Sequence, residues 1–250
     1  MDNTKENKVI EKSLKQKLKS LSIILFVIIL IILGYTFIRN AIIIKTLSNR
    51  AKEYCNKDNF HMITSTHSAE NIAIFDTYYK NGQYLEKHTS FLYDIYRNIS
   101  GDSDLGKSMT YYDGKSDKRM LFFEKEKILL LSDAFETPIY TPKAMSHATL
   151  FDESLLHFIH SCFTLQITKE KVNNVECYKF TNFFYNFNAS SYFDITTGLI
   201  IRNQSSYSYN DKHFDSTTDI IYEFDVVTDD NLKIPNIEEY TLQEDDQSNN

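Results

Sequence analysis

The stretch from Thr218 to Val227 reads TDIIYEFDVV and is the clearest structural signal in the sequence. Its apolar side chains alternate with polar ones, as they do in a strand with one face toward a core and the other toward water. The pattern predicts a buried face of Ile220, Tyr222, Phe224 and Val226, and a wet face marked by Asp219, Glu223 and Asp225. Antiparallel strands are therefore expected in this part of the chain.

Short runs of the same kind recur before this stretch, and turn residues separate them. Asn81-Gly82 and Asp113-Gly114 are hairpin signals, because these dipeptides readily adopt the positive φ of a tight turn. Further hairpins are expected at Asn173-Asn174 and at Gly198. Leu155 to Phe163 has apolar residues at helical spacing. The expected order is a helix, about six strands, a loop with a helix, and about five strands.

Residues 21–38 read LSIILFVIILIILGYTFI and contain no charged side chain. A run of this length can cross the hydrocarbon layer of a membrane as a helix. Two other interpretations fit less well, because a buried core helix is seldom apolar on all sides and the apolar part of a cleaved secretory signal spans about 7–15 residues. The sequence thus predicts an uncleaved, single-pass membrane anchor.

The charges on either side of this run indicate its orientation. The first 20 residues hold six lysines against Asp2, Glu6 and Glu11, which gives a net charge of +3, whereas the whole chain carries −7. A lysine-rich flank is retained in the cytoplasm, so the N-terminus is predicted to be cytoplasmic and the C-terminal domain extracytoplasmic, at the cell membrane. The remaining charge of −10 would repel a phosphate backbone, which argues against a nucleic-acid partner.

These observations divide the chain into five predicted segments. They are a cytoplasmic basic tail (1–20), a transmembrane anchor (21–44), a helical connector (45–59), an extracytoplasmic β domain (60–240) and a disordered acidic tail (241–250).

The sequence contains no strong signal for catalysis or for a cofactor. It has no glycine-rich phosphate loop, serine elbow, Cys-x-x-Cys pair or zinc-protease motif, so no enzyme, cofactor or metal site is predicted. His157 and His160 are one helical turn apart, near Asp152 and Glu153, but a third metal ligand at fixed spacing is missing. The three cysteines are too few for a disulfide framework, and Cys162 and Cys177 are expected to be buried thiols, with a Cys162–Cys177 pair as the alternative.

Three motifs resemble the bacterial lipoprotein-carrier superfamily, of the LolA/LppX/RseB type. They are VNNVECYKF at 172–180, YFDITTGLI at 192–200, and Tyr222 to Val227 followed by Ile234-Pro235. The resemblance implies an α+β fold in which a strongly curved antiparallel sheet, a half-barrel, wraps around a short helical lid and encloses a cavity for acyl chains. It would place Leu155, Leu156, Phe158 and Ile159 in the lid, and make this chain a membrane-anchored bacterial member.

The residues themselves allow two interpretations of the sheet interior. Aromatic and aliphatic side chains project from predicted strands onto apolar faces that a helix of about ten residues would not fully cover, which leaves room for an apolar cavity. A solidly packed core is the alternative. The cavity-lining strand residues would be Tyr178, Phe180, Phe193, Ile220, Tyr222 and Phe224.

The function expected from this combination is non-catalytic binding. The domain would hold a lipid, an acylated molecule or another hydrophobic ligand at the outer surface of the membrane. An extracytoplasmic protein-interaction or envelope-sensing module is the alternative, and the sequence names no protein partner.

Overall fold

A computed structural model describes residues 3–68, 72–91, 107–116, 118–133, 141–142, 155–184, 187–209 and 212–244. A long apolar helix, α1 (Asn3–Cys55), leads into a large curved, open antiparallel sheet, and a short helix, α2 (Leu155–Thr164), lies between the two halves of the sheet in the sequence. The strands are β1 (Asn59–Ser68), β2 (Ile72–Lys80), β3 (Gln83–Phe91), β4 (Lys107–Tyr112), β5 (Lys118–Phe123), β6 (Ile128–Asp133), β7 (Gln166–Val172), β8 (Val175–Phe184), β9 (Phe187–Asp194), β10 (Ile200–Tyr209), β11 (Lys212–Phe224) and β12 (Thr241–Glu244).

α1 continues without interruption from the basic tail, through the apolar run, to Cys55. Its part from Lys17 onward is long and apolar enough to cross a membrane by length and composition, and the most apolar window of that part is wholly unburied. The predicted connector is therefore a direct extension of the same helix, which ends four residues before β1 begins.

Two meanders form the sheet, one of β1 to β6 and one of β7 to β11, and they meet where β1 pairs with β11. Its spatial order is β12-β6-β5-β4-β3-β2-β1-β11-β10-β9-β8-β7. β1 pairs with β2 on one side and with β11 on the other, so the strands before α2 and those after it form one continuous sheet. All the pairings are antiparallel except that of β12 with β6.

Tight turns set the register of the hairpins. Asn81 and Gly82 have φ of 50° and 85°, and Asn173 and Asn174 have φ of 50° and 67°, so both pairs form the two-residue turns with positive φ that the sequence indicated. The Lys80–Gln83 and Val172–Val175 pairs close these turns.

The end of β11 differs from the predicted alternation. The strand stops at Phe224 because Asp225 adopts a left-handed φ of 61°, and its backbone N–H donates to the Asn59 carbonyl at 3.0 Å. The turn reverses the facing of the next two residues, so that Val226 is exposed and Val227 is buried. The prediction that Val226 shares the face of Ile220, Tyr222 and Phe224 was wrong for this reason.

The C-terminal segment returns across the sheet. Short 3-10 helices at Asp229–Leu232 and Ile237–Glu239 carry the chain to β12, where Thr241 N–H donates to the Lys127 carbonyl at 2.7 Å. The sequence predicted a disordered tail from residue 241, whereas residues 241–244 form a strand. The polar composition of the tail predicts disorder, but its backbone pairs in parallel with the apolar strand β6 and becomes ordered there.

The two faces of the sheet carry separate cores. We call the first the helix-facing cluster, because α1 and α2 pack on it; its buried members are Ile43, Ile44, Leu47, Phe60, Met62, Cys162, Leu165, Ile167, Phe180, Phe193, Ile200 and Ile220. The second lies on the other face of the first meander, where the returning C-terminal segment covers it; its buried members are Leu85, Met109, Phe122, Leu129, Val227 and Leu232.

Candidate functional site

The helix-facing cluster is the place where the predicted ligand-site residues meet. Of the ten predicted residues, Phe180, Phe193 and Ile220 are buried in it, and Phe158, Tyr178, Tyr222 and Phe224 are partly buried against it. Phe180 and Phe193 contact each other with ring centroids 4.6 Å apart. The strands and α2 thus bring these seven side chains together.

The other three predicted residues are on α2 and point away from the cluster. Leu155, Leu156 and Ile159 are 74%, 79% and 37% exposed, and Phe163 on the same side of the helix is 51% exposed. α2 therefore divides its apolar side chains between the protein interior and the surface.

The C-terminal part of α1 covers the cluster, which the sequence did not predict. Ile43, Ile44 and Leu47 project from successive turns of the helix and are buried on the sheet. The signal was present in the sequence as Arg39 and Asn40, which interrupt the apolar run before residues 41–44 resume it.

Asn40 joins α1 to the end of α2. Its side-chain amide is almost fully buried and donates to the carbonyl oxygens of Cys162 and Leu165 at 3.0 and 2.9 Å. Carbonyls at a helix C-terminus have no partner within the helix, so this amide satisfies two groups whose burial would otherwise be costly. Arg39 donates in the same way to the Ile167 carbonyl at 2.9 Å.

The turn between β9 and β10 fixes α1 from the other side. Gly198 has φ +73°, and a Cβ atom at this position would lie 2.2 Å from the Leu47 carbonyl oxygen and 2.9 Å from the Ala51 nitrogen. Arg50 also donates to the Ile195 carbonyl of this turn. Only a glycine lets the turn and the helix backbone approach so closely.

Burial disfavours the ionised forms of Tyr222 and Cys162 in the cluster, and of Cys177 outside it. Tyr222 donates its hydroxyl to the Ile200 carbonyl at 2.9 Å, and burial raises its pKa far above the usual value. Cys162 and Cys177 are buried free thiols, as expected, and burial raises the pKa of each. A thiol with a raised pKa is a poor nucleophile.

A polar patch lies on the same face of the sheet, on β2 and β3. Glu86 is buried there, accepts a hydrogen bond from the Thr77 hydroxyl at 3.1 Å, and has its pKa raised by burial. Tyr84 is beside it, and its pKa is raised by burial and partly offset by a hydrogen bond from Arg119. The sequence did not predict this patch, because Glu86 and Arg119 lie within strands and no motif distinguishes them from exposed charged residues.

A group of polar side chains centred on His61 lies on the opposite face, near the junction of the two meanders. His61 lies between Asp76 and Glu223, with nitrogen-to-oxygen distances of 2.6 and 2.7 Å, and its ring stacks on Tyr78 at 4.4 Å. These contacts cross from β11 through β1 to β2 and tie the meanders together.

Within the described parts of the chain, no group of three or more His, Cys, Asp or Glu side chains has the arrangement of a metal site. His160 is exposed, while Asp152 and Glu153 lie outside the described residues. The face that gathers the predicted site residues is mainly apolar and aromatic, so what it offers chemically is burial of apolar surface.

The sequence matches no family model and no curated protein. Among solved structures, it is similar to a DUF1329 family protein from Desulfovibrio piger, at 10% identity over 75% of this chain and 94% of that protein, with a TM-score of 0.30. It is similar to a LolA superfamily protein from Nitrosomonas europaea, at 9% identity over 76% of this chain and 97% of that one, with a TM-score of 0.30. MucB is similar at 9% identity over 76% of this chain and 62% of MucB, with a TM-score of 0.35.

Proposed function

We propose that this chain is a membrane-anchored, non-catalytic module that holds a lipid, an acylated molecule or another hydrophobic ligand on the outer side of the cell membrane. The observation that carries the proposal is that exposed apolar side chains of α1 and α2 lie next to a buried apolar and aromatic cluster. Phe163 of α2 contacts Phe37 of α1, and Phe37 and Phe158 pack against the cluster.

The ten predicted residues divide into an entrance and an interior in this proposal. Leu155, Leu156 and Ile159 form the entrance, because they are already at the surface. The interior consists of Phe158, Tyr178, Phe180, Phe193, Ile220, Tyr222 and Phe224. Relative to water, an acyl chain held in this interior would be stabilised by about 0.8 kcal/mol per buried methylene group.

Entry of a ligand would require α2 to move. The helix has ten residues, and its contacts with α1 and the cluster include those of Phe158, Cys162 and Phe163, together with the hydrogen bonds from the Asn40 amide. A helix this short is marginal without tertiary support, so ligand contacts could replace those it makes with the sheet. α2 would then act as the lid.

The membrane anchor would also favour ligand binding. A domain tethered to the bilayer stays close to every ligand that the bilayer carries, which raises the effective concentration of that ligand. The proposed orientation has the lysine-rich tail in the cytoplasm and the sheet outside.

The test uses the full chain in phospholipid nanodiscs with a fatty acid that carries a photoactivatable group, followed by peptide mapping. We expect crosslinks on β8, β9 and β11, in peptides containing Tyr178, Phe193 or Tyr222, in addition to those on residues 21–38. Crosslinks confined to residues 21–38 would refute the proposal, because they report only contact with the bilayer.

A matched pair of variants sharpens this test. F158D places a charge between α2 and the cluster, and it should abolish crosslinks on the strands while those on the anchor remain. I221D places the same charge on the opposite face of β11, where Ile221 is 59% exposed, and should leave the crosslinks unchanged.

An extracytoplasmic protein-interaction or envelope-sensing module is the second candidate. It is favoured by the open sheet, since among the described strands β7 pairs with β8 alone, and its other edge, at the end of the strand order, could accept a further strand. Crosslinking in intact cells separates the candidates. Capture of one stoichiometric protein through β7 supports the second, whereas capture of lipid alone supports the first.

A further inference from the structure

The exposed side of α2 forms one apolar stripe. At 3.6 residues per turn, Leu155, Leu156, Ile159 and Phe163 fall within a sector of about 100°. This sector adjoins the buried side that holds Phe158 and Cys162, and the exposed His160 and Thr164 follow on its far side. α2 is therefore amphipathic, but half of its apolar side has no protein against it among the described residues.

The stripe meets the outer end of the apolar run of α1. The ring of Phe163 lies 4.8 Å from that of Phe37, and Asn40, one turn farther along α1, holds the end of α2. From Leu21 to Tyr35 the run is exposed on every side, and it becomes partly buried at Thr36 and Phe37. The exposed apolar surfaces of the two helices are thus continuous through the Phe37–Phe163 contact.

This junction has the residues typical of a membrane interface. The 18 residues from 21 to 38 span about 27 Å as a helix, close to the thickness of a hydrocarbon core. Tyr35, which is 68% exposed, and Phe37 stand at the outer end, where aromatic residues are enriched in membrane proteins. Arg39 follows two positions after Phe37, and its guanidinium donates to the Ile167 carbonyl.

We propose that α2 is an interfacial helix whose stripe inserts into the outer leaflet of the bilayer that α1 crosses. This inference rests on the proposed anchoring and adds that the mouth of the ligand site is immersed in lipid. A ligand could then pass from the leaflet to the cluster along α2 without entering water. α2 contains no lysine, arginine, aspartate or glutamate, so insertion should depend on apolar contact and not on anionic lipids.

Tryptophan quenching tests this placement, since the chain has no tryptophan of its own. Three single-tryptophan variants of the full chain would be placed in nanodiscs of brominated phosphatidylcholine: L156W on the stripe, L30W at the middle of the apolar run, and I221W on the opposite face of the sheet. Leu156, Leu30 and Ile221 are all exposed, so each position accommodates the larger side chain.

We expect L156W to lose most of its fluorescence when bromine is near the headgroup, and less when bromine is deep in the acyl chains. L30W should show the reverse order, and I221W should keep its fluorescence in both. Replacing part of the lipid with phosphatidylglycerol should leave the quenching of L156W unchanged.

The controls separate failure of this inference from failure of the anchor. Quenching of L30W but not of L156W would overturn the interfacial helix and leave the anchor standing. Absence of quenching in L30W would overturn both. Equal quenching of L156W and I221W, or quenching of L156W only with anionic lipid, would also overturn the inference.

Discussion

Gly198 shows how strongly a single position can control the contact between sheet and helix. The β9–β10 turn needs its positive φ, and the backbone of α1 occupies the space that a side chain would take. We predict that G198A destabilises the domain by more than the roughly 1–2 kcal/mol that a left-handed φ costs an alanine, because the new methyl group also collides with the Leu47 carbonyl. Urea unfolding of the detergent-solubilised chain, followed by circular dichroism, measures the change.

Gly82 provides the matched control for this prediction. It has a similar φ of +85°, yet a Cβ there would come no closer than 4.0 Å to its nearest neighbour. G82A should therefore show the conformational cost alone. Equal decreases in unfolding free energy in G198A and G82A would mean that the close approach to α1 adds no further cost.

Glu86 should make stability depend on pH in the direction opposite to most carboxylates. Burial raises its folded-state pKa above the ordinary 4.5, so its contribution is fully present below that value and is lost as pH rises through the raised pKa. E86Q resembles the protonated form, and we expect it to match the wild type in acid and to be more stable at neutral pH.

The measurement is the difference in unfolding free energy between E86Q and the wild type across pH, which cancels contributions from other groups such as His88. E124Q, in the exposed turn before β6, is the control and should show no such difference. A difference for E86Q that stays constant with pH would contradict the assignment.

Residues differed in how far the sequence could predict them. Asn81-Gly82 and Asn173-Asn174 were predictable because a tight hairpin turn has local chemical requirements. Lys127 and Asp225 also adopt positive φ, but neither residue type demands it, so tertiary contacts decide. Of the candidate site, the aromatic strand residues followed from their alternation, whereas Asn40 and Glu86 acquire their roles only from partners on other elements.

At the scale of elements, α1 joins in one helix two segments that the sequence analysis treats separately. Its length and apolar composition indicated an anchor, and its later residues were expected to be a connector. In the structure the same helix covers the sheet, with Ile43, Ile44 and Leu47 buried against it. Composition alone could not predict this, because an apolar helix face suits lipid and a protein core equally well.

β12 protects the edge of the sheet at β6. The two strands pair from Thr241–Ile128 to Glu244–Leu131. The rings of Tyr240 and Phe122 also form a T-shaped contact, with their centroids 5.2 Å apart. The strand that it covers begins Ile-Leu-Leu-Leu, an apolar edge of the kind that pairs with other chains. We predict that a chain ending at Tyr240 self-associates, which light scattering coupled to size-exclusion chromatography in detergent would detect.

A chain ending at Glu244 is the control, because it keeps β12 and lacks only the six residues that follow. It should remain at the mass of the full-length protein. Monomeric behaviour of both truncated chains would show that β12 is dispensable for protecting β6.

At the scale of the whole molecule, the helices pack on one face of the sheet, and the returning C-terminal segment covers the other face of the first meander. The order of strands and the central helix could be predicted, since hairpin signals and helical spacing are local. The pairing of β1 with β11 could not, because it joins residues 148 to 164 positions apart and follows from the shared core. That pairing places the whole sheet at the end of α1, on one side of the apolar run.

The orientation of the chain is the last prediction, and thiol labelling tests it directly. Cys162 and Cys177 are buried and Cys55 is partly buried, so the wild type should react little with a membrane-impermeant maleimide. On intact spheroplasts, K125C in the exposed β5–β6 turn should be labelled at once, whereas K8C in the basic tail should be labelled only after permeabilisation. The reverse pattern would place the sheet in the cytoplasm. Because the ligand would then be drawn from the inner leaflet, the proposed extracytoplasmic function would fail together with the orientation.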